Sequence, residues 1–177
     1  MAHNEIAFHG TIMPYAEKIL AEQHFNPSTK SNEWLGFGVY FFPNRSHADW
    51  WAGNQSEKHG QPSAVLSAVI QCDESTFFNL DLNENARLLN NFADSFLQEI
   101  KNEGKLKINF KKKADLRCFI VEAYKERHPE IQLIAYTFDA PGHYSKWLYP
   151  PKQLQYCVVD HKIISNIKLA SKGGVSI

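Results

Sequence analysis

Two segments near the amino terminus each pass from an extended stretch directly into a helix, and this pattern constrains the possible folds more than any other feature. The first is FHGTIMPYAEKIL, residues 8–20, in which Pro14 suits the first turn of a helix. The second is WLGFGVYFFPNRSHADWW, residues 34–51, in which glycines flank an aromatic strand and Asn44 or Ser46 can cap the following helix. The pattern predicts two successive strand–helix units in the first third of the chain.

The rest of the chain shows long blocks of strand-like and helical sequence. SAVLSAVIQC, residues 63–72, is almost entirely apolar and is predicted to be a central strand covered on both faces. Residues 88–100 carry an apolar stripe at three- and four-residue spacing, and residues 114–128 form a second predicted helix that ends before Pro129. Two further strands are predicted late in the chain, at residues 131–138 and 154–164.

Strands early, helices in the middle and strands again at the end indicate the α+β class. A chain of 177 residues is long enough to bury the core of one domain and short for two. We therefore expect a single domain over residues 1–177, with a helical insertion at about residues 84–128 between two sheet-forming parts.

The composition and the absence of certain motifs disfavour several functional classes. Nineteen basic residues balance nineteen acidic ones, so no net charge favours a nucleic acid or a membrane surface. The eight histidines lack metal-ligand spacing, and no metal is expected. No Gly-x-Ser-x-Gly or Gly-x-Gly-x-x-Gly motif is present, which disfavours serine hydrolases and Rossmann folds. The three scattered cysteines (Cys72, Cys118 and Cys157) are predicted to be buried thiols, and without a signal peptide or membrane span we expect a cytoplasmic protein.

Three stretches, FHGT, GFGVYFF and LQYCVVD, occur in an order that resembles the ADP-ribosyltransferase superfamily. The resemblance is to its poly(ADP-ribose) polymerase and diphtheria-toxin-like branch, which carries a His-Gly-Thr/Ser strand, a Gly-x-Tyr-Phe strand and a late Glu-Tyr strand. It extends over residues 8–72 and returns at residues 153–164. It implies a split antiparallel β-sheet core, with NAD as the substrate.

The resemblance also implies roles for individual residues. His9 would bind a ribose hydroxyl of NAD, the backbone of Gly10 would hold the nicotinamide carboxamide, and Tyr40 would stack on the nicotinamide ring. The other face of the ring would be covered by Trp50 or Trp51. Because neighbouring helical residues point about 100° apart, we expect one of these two tryptophans to belong to the core. The remaining NAD-binding positions that the resemblance implies are Thr11, Gly38 and Ser46.

The expected chemistry accounts for these residue types. Nicotinamide leaves NAD as a neutral molecule, and the transition state has the oxocarbenium character known from glycoside hydrolysis. Aromatic rings hold a pyridinium ring by stacking and cation–π attraction, each worth on the order of 1–2 kcal/mol. Glycines at positions 10 and 38 are expected to let backbone donors reach the ligand without an intervening side chain.

Gln155 departs from the family pattern, because it stands where the late strand usually has its catalytic Glu. An amide can bind the ribose hydroxyl but brings no negative charge to stabilise the sugar cation. Three explanations remain open. Either this branch natively uses Gln, or the sequence carries a deliberate Glu-to-Gln change. In the third explanation, another carboxylate, such as Asp160 or one on the middle helices, takes the role of the Glu.

The functional expectation is a mono-ADP-ribosyltransferase that breaks the nicotinamide–ribose bond of NAD and transfers ADP-ribose to a protein or nucleic acid. A bacterial intracellular toxin or phage-defence effector with a neutralising antitoxin partner is the expected setting, by analogy. The first alternative is a catalytically weak or inactive NAD- or ADP-ribose-binding domain on the same fold. The second is a plain interaction domain, in which His9, Tyr40 and the tryptophans only build a core.

Overall fold

A computed structural model describes residues 2–102, 112–139 and 152–174 of the chain. The strands are β1 (Ala2–Ile12), β2 (Val39–Phe41), β3 (Ser63–Asp73), β4 (Phe77–Asn79), β5 (Leu133–Asp139), β6 (Lys152–Val158) and β7 (Ile164–Lys172). The helices are α1 (Met13–Glu22), α2 (Arg45–His59), α3 (Asn83–Asn102) and α4 (Lys113–Arg127). Within these described ranges, no helix has the length and apolar character needed to cross a membrane.

The strands form two sheets, which confirms the α+β prediction. The first sheet has the order β1-β3-β7 and is antiparallel throughout. The second has the order β2-β6-β5-β4, in which β4 pairs with β5 in parallel and the other pairs are antiparallel. The sheets meet where β1 approaches β2. There, Phe8 and Phe42 exchange two backbone hydrogen bonds of 2.8 Å each.

The buried residues divide the molecule into layers. The main core lies between the two sheets and includes Phe25, Phe41, Leu66 and Tyr156. A smaller core lies between α2 and the outer face of the first sheet, and another lies between α4 and the second sheet. β3 contributes to the cores on both of its faces, as predicted from its continuous apolar sequence. The three cysteines are buried free thiols, which is also confirmed.

The structure differs from the predicted late strand at residues 154–164, because two strands occupy this region. β6 ends at Val158, since the N–H groups of Val159 and Asp160 both donate to the carbonyl of Gln132 rather than to a neighbouring strand. Asp160 then caps a short 3₁₀ turn by accepting a hydrogen bond of 3.0 Å from the Lys162 N–H. β4 was missed because three residues are too few to show a period, and its pairing partner lies far away in the chain.

Both predicted middle helices are observed, and they have different surroundings. α4 packs on the second sheet through Val121 and Tyr124. α3 has no fully buried residue and packs against α4. The rings of Phe92 and Tyr124 meet there edge-on, with their centroids 5.1 Å apart. The apolar stripe of α3 therefore packs on the core that α4 forms with the second sheet.

α4 also holds the segment that leads into β2, which we call the 28–38 loop. Ser28 and Gly38 close the loop by pairing their backbones at 2.8 and 3.1 Å. Glu122 of α4 accepts a hydrogen bond of 2.6 Å from the Phe37 N–H, and Lys125 donates one of 2.7 Å to the Phe37 carbonyl. Lys125 and Glu122 also pair with each other at 2.6 Å. The helical insertion thus holds the loop in place.

This partly buried ion pair leads to a prediction about stability. Removing one partner of a buried pair typically destabilises a protein by about 3–5 kcal/mol, because the other charge is left uncompensated. The Glu122 side chain keeps 24% of its surface exposed. Water screens it in part, so we expect Lys125→Met to lower the free energy of unfolding by about 2 kcal/mol. Urea titration followed by circular dichroism measures the change.

Lys18→Met provides the matched control. Lys18 pairs with Glu22 on the surface of α1, where both side chains are about half exposed. Surface pairs of this kind contribute less than about 0.5 kcal/mol. Equal unfolding midpoints for the two variants would contradict the role given to Lys125.

Candidate functional site

A cavity of about 380 Å³ lies where β1 and β2 separate beyond the Phe8–Phe42 contact. Its size falls within the roughly 300–1,000 Å³ that small-molecule sites occupy. Every predicted site residue except Ser46 lines it, namely His9, Gly10, Thr11, Gly38, Tyr40, Trp50, Trp51 and Gln155. The fold therefore brings together residues that are far apart in the sequence.

His9 joins the two sheets through its side chain. Its Nδ1 lies 2.8 Å from the Tyr40 carbonyl oxygen, and because a carbonyl can only accept, Nδ1 must carry the hydrogen. Burial lowers the pKa of His9, and the hydrogen bond to Tyr40 opposes this only in part, so the ring is neutral near pH 7. In this tautomer Nε2 is a hydrogen-bond acceptor. A ribose hydroxyl is a donor that suits it.

The Phe8–Phe42 contact leaves the backbone of Gly10 facing the cavity. Because Phe8 bonds to Phe42 through both its N–H and its C=O, the corresponding groups of Gly10, two residues on, point toward the same side of β1. A continued ladder would pair Gly10 with Tyr40. The His9 ring bonds the Tyr40 carbonyl instead. One N–H and one C=O at Gly10 match the acceptor and donor of a carboxamide.

The structure gives a different reason for glycine at positions 10 and 38 from the one predicted. A Cβ on Gly10 would lie 2.2 Å from the carbonyl oxygen of Ala48 in α2. A Cβ on Gly38 would lie 2.5 Å from the sulfur of Cys157. Both side-chain positions point into the protein rather than toward the cavity. Glycine is therefore required at both positions by the close approach of neighbouring elements.

Tyr40 is held at both ends. Its backbone belongs to β2, and its hydroxyl donates a hydrogen bond of 2.7 Å to the Gly36 carbonyl and accepts one of 2.9 Å from the Leu35 N–H. Burial raises the pKa of Tyr40 far above its usual value, so the phenol remains neutral. Gly36 permits this arrangement because its φ of 80° is unfavourable for other residues. The ring forms a fixed part of the cavity wall.

Both tryptophans lie at the mouth of the cavity, and the expectation that one belongs to the core is wrong. Trp50 and Trp51 are 37% and 42% exposed, and their rings lie 6.1 Å apart. The buried residues of α2 are Ala48, Ala52 and Ser56. Because α2 lies directly against Gly10, only small side chains fit between helix and sheet. The two indoles are therefore displaced to the flank of the helix.

Ser46 does not reach the cavity. It is exposed in the first turn of α2, where its N–H and its hydroxyl both bond to the side-chain oxygen of Asn44, at 3.0 and 2.8 Å. Asn44 is the N-cap of the helix, which settles the choice left open between these two residues. The predicted NAD contact of Ser46 has no support in this arrangement.

Gln155 lies in the cavity beside a second glutamine. The Gln155 side-chain amide donates a hydrogen bond of 3.1 Å to the side-chain oxygen of Gln153, which is 2% exposed. The two residues share one face of β6 because side chains alternate along a strand. This period could have identified Gln153 from the sequence once Gln155 was singled out.

Asp160, one of the carboxylates considered as an alternative, does not line the cavity. It lies in the turn after β6, outside the cavity lining, and accepts hydrogen bonds from Gln132 and from the Lys162 N–H. These hydrogen bonds lower its pKa. Among the described residues of α3 and α4, none lines the cavity. The carboxylate that does is Glu33 of the 28–38 loop, which sequence reasoning missed because a single Glu in a polar loop carries no motif.

The described ranges contain no group of three or more His, Cys, Asp or Glu side chains placed to hold a metal ion. Comparison with known proteins adds one relative. Over 76 residues, the chain is 34% identical to an uncharacterized protein, MJ0359, of Methanocaldococcus jannaschii. The alignment spans 41% of this chain and 36% of that protein. No protein-family profile matches the chain, and no solved structure matches it.

Proposed function

We propose that the chain is an NAD-dependent mono-ADP-ribosyltransferase built on the split-sheet scaffold of the ADP-ribosyltransferase superfamily. The observation that carries the proposal is the His9–Tyr40 hydrogen bond of 2.8 Å at the point where the two sheets separate. It places a neutral imidazole acceptor, the Gly10 backbone and a fixed aromatic ring around one cavity, with two tryptophans at its mouth.

In this proposal each feature has a role toward NAD. Tyr40 and one of the two tryptophans enclose the nicotinamide ring by stacking, while Gly10 binds its carboxamide. His9 Nε2 accepts a hydrogen bond from a ribose hydroxyl. Gln155 binds the hydroxyl of the nicotinamide ribose, and Gln153 orients its amide through the 3.1 Å hydrogen bond. These contacts hold the reacting sugar in one conformation.

The proposed reaction needs no general acid. The C1′–N1 bond breaks and its electron pair goes to the ring nitrogen, so nicotinamide leaves neutral and the ribose becomes an oxocarbenium ion. A nucleophilic oxygen or nitrogen of the acceptor then bonds to C1′ and loses its proton. We expect one transfer per acceptor site, because an amide at position 155 lacks the charge of the family's Glu.

Release of nicotinamide tests the proposal. The chain is incubated with NAD labelled in the adenylate, in the presence of cell lysate, and free nicotinamide and labelled macromolecules are measured. A His59→Ala variant, altered at an exposed site at the end of α2, serves as the active control. Label that appears in protein or nucleic acid in step with nicotinamide release supports a transferase. Nicotinamide release without macromolecular label would contradict a transferase and indicate a hydrolase.

The glutamine pair favours a second candidate, an NAD or ADP-ribose reader on the same scaffold. Two neutral amides can bind ribose hydroxyls without stabilising a developing cation. Tight NAD binding with no nicotinamide release would support the reader. Absence of any thermal shift at millimolar NAD would favour a plain interaction domain, because a bound ligand must stabilise the folded state. We propose the setting of an intracellular effector with a neutralising partner only for the transferase, and not for the reader or the interaction domain.

A further inference from the structure

Among the residues that the structure describes, two charged side chains line the cavity. His9 is not counted because its ring is neutral. They are Lys30 and Glu33, both on the 28–38 loop. The proposed substrate carries opposite charges along its length, with a pyridinium at one end and a diphosphate further on. A carboxylate in such a cavity suits the cationic end, so the position of Glu33 matters for the chemistry.

Glu33 is held in place by neutral partners. Its Oε1 accepts a hydrogen bond of 2.5 Å from the hydroxyl of Ser28, and its N–H donates one of 3.2 Å to the Lys30 carbonyl. In the described ranges, no Lys, Arg or His nitrogen lies within ion-pairing distance of it, that is, within 4.0 Å. The loop around it is clamped by the backbone pairing of Ser28 with Gly38 and by the contacts of α4 with Phe37. The carboxylate is thus hydrogen-bonded and half-buried, and it has no ion-pair partner among the described residues.

Glu33 lines the same cavity as Tyr40, the ring of the proposed nicotinamide site. Burial is the main cause of the raised pKa of Tyr40, and repulsion from the Glu33 carboxylate contributes to it. Tyr40 also fixes the same loop through its hydroxyl bonds to Leu35 and Gly36. Glu33 and the ring that would stack on nicotinamide are therefore connected through the same hydrogen-bonded loop.

We infer that Glu33 supplies the negative charge that Gln155 lacks, and that it stabilises the positive charge on the nicotinamide ribose as the glycosidic bond breaks. This inference depends on the proposed function. It divides between two residues the tasks that the family assigns to one Glu. Gln155 binds the ribose hydroxyl, and Glu33 provides the electrostatic stabilisation from the 28–38 loop.

Glu33→Gln tests the inference without disturbing the loop, because the amide oxygen can still accept the hydrogen bond from Ser28. We expect the rate constant of nicotinamide release at saturating NAD to fall about hundredfold or more, as for the loss of one group that stabilises developing charge. The melting temperature should stay close to that of the parent. Glu57→Gln, an exposed change on α2 away from the cavity, is the matched control and should match the parent in rate.

A second measurement reports the charge independently of catalysis. NAD carries a cationic ring and NADH a neutral one, so a carboxylate near the ring should favour NAD. We expect Glu33→Gln to weaken NAD binding about tenfold relative to NADH binding. Glu57→Gln should leave the ratio of the two dissociation constants unchanged. Isothermal titration with each nucleotide measures this ratio.

The outcomes separate this inference from the proposed function. An active parent and an equally active Glu33→Gln variant overturn the role of Glu33 and leave the transferase proposal standing. A parent that binds NAD but releases no nicotinamide overturns the transferase. The preference for NAD over NADH then tests whether Glu33 supplies negative charge at this site. If Glu33→Gln leaves that preference unchanged, the role given to Glu33 is rejected. A parent that binds neither nucleotide overturns both.

Discussion

A Gly10→Ala variant is expected to be strongly destabilised. The added Cβ would lie 2.2 Å from the Ala48 carbonyl oxygen and 2.9 Å from the Ala52 nitrogen, both backbone atoms of α2. Neither atom can rotate away as the end of a side chain can, so α2 must move from β1 as a whole. We expect the free energy of unfolding to fall by more than about 3 kcal/mol, the upper range for overpacking. Urea-induced unfolding measures the change.

The same helix provides the control. Gly53 lies inside α2, and a Cβ there would meet no atom within 4 Å. Gly53→Ala replaces a poor helix former by the best one and should raise the free energy of unfolding by about 0.5–1 kcal/mol. Opposite signs for the two Gly-to-Ala changes are the expected result. A Gly10→Ala variant as stable as the parent would show that α2 does not pack against β1 this closely.

The second large effect is expected from His9→Ala. This change removes the proposed acceptor for the ribose and leaves the Tyr40 carbonyl without its 2.8 Å partner. The lost ribose hydrogen bond accounts for about one power of ten in rate, and a misplaced substrate for about two more. The unpaired carbonyl acts on stability instead, where it costs about 1–3 kcal/mol. We therefore expect kcat/KM for nicotinamide release to fall about a thousandfold, equivalent to about 4 kcal/mol.

His9→Asn separates the two roles of the imidazole. The Asn side-chain nitrogen can take the place of Nδ1 and keep the bond to Tyr40, but nothing replaces Nε2. We expect near-parent stability and a loss of kcat/KM of about tenfold to hundredfold, the effect of one hydrogen bond that strengthens in the transition state. The steady-state rate at low NAD measures it. An unchanged kcat/KM in both His9 variants would refute the proposed contact with ribose.

Much of the secondary structure could be predicted from local sequence. The boundaries of α1 and α2 follow from Pro14, Asn44 and Gly60, whose effects on the backbone act within a few residues. β3 follows from its continuous apolar run, and α3 from its amphipathic period. The break between β6 and β7 could not be predicted, because it depends on Gln132, a residue about thirty positions away.

The candidate site shows the same division. His9, Tyr40 and Gln155 were found because their motifs lie on strands in a recognisable order. Glu33 could not be found, because its position depends on Ser28, Gly38 and the contacts of α4 with the loop. The burial of one tryptophan was predicted wrongly, since only the close packing of α2 against Gly10 excludes indoles from that interface.

By itself, the sequence determined where the helices and most of the longer strands lie, and which residue types are available at the proposed nucleotide site. These depend on short-range backbone preferences and on apolar periodicity, which are written in neighbouring residues. The tertiary structure decided where β1 and β2 part, that the His9 ring bridges them there, and that a carboxylate enters the cavity from a loop. These outcomes depend on contacts between residues far apart in the chain, and such contacts exist only once the two sheets and α4 have packed together.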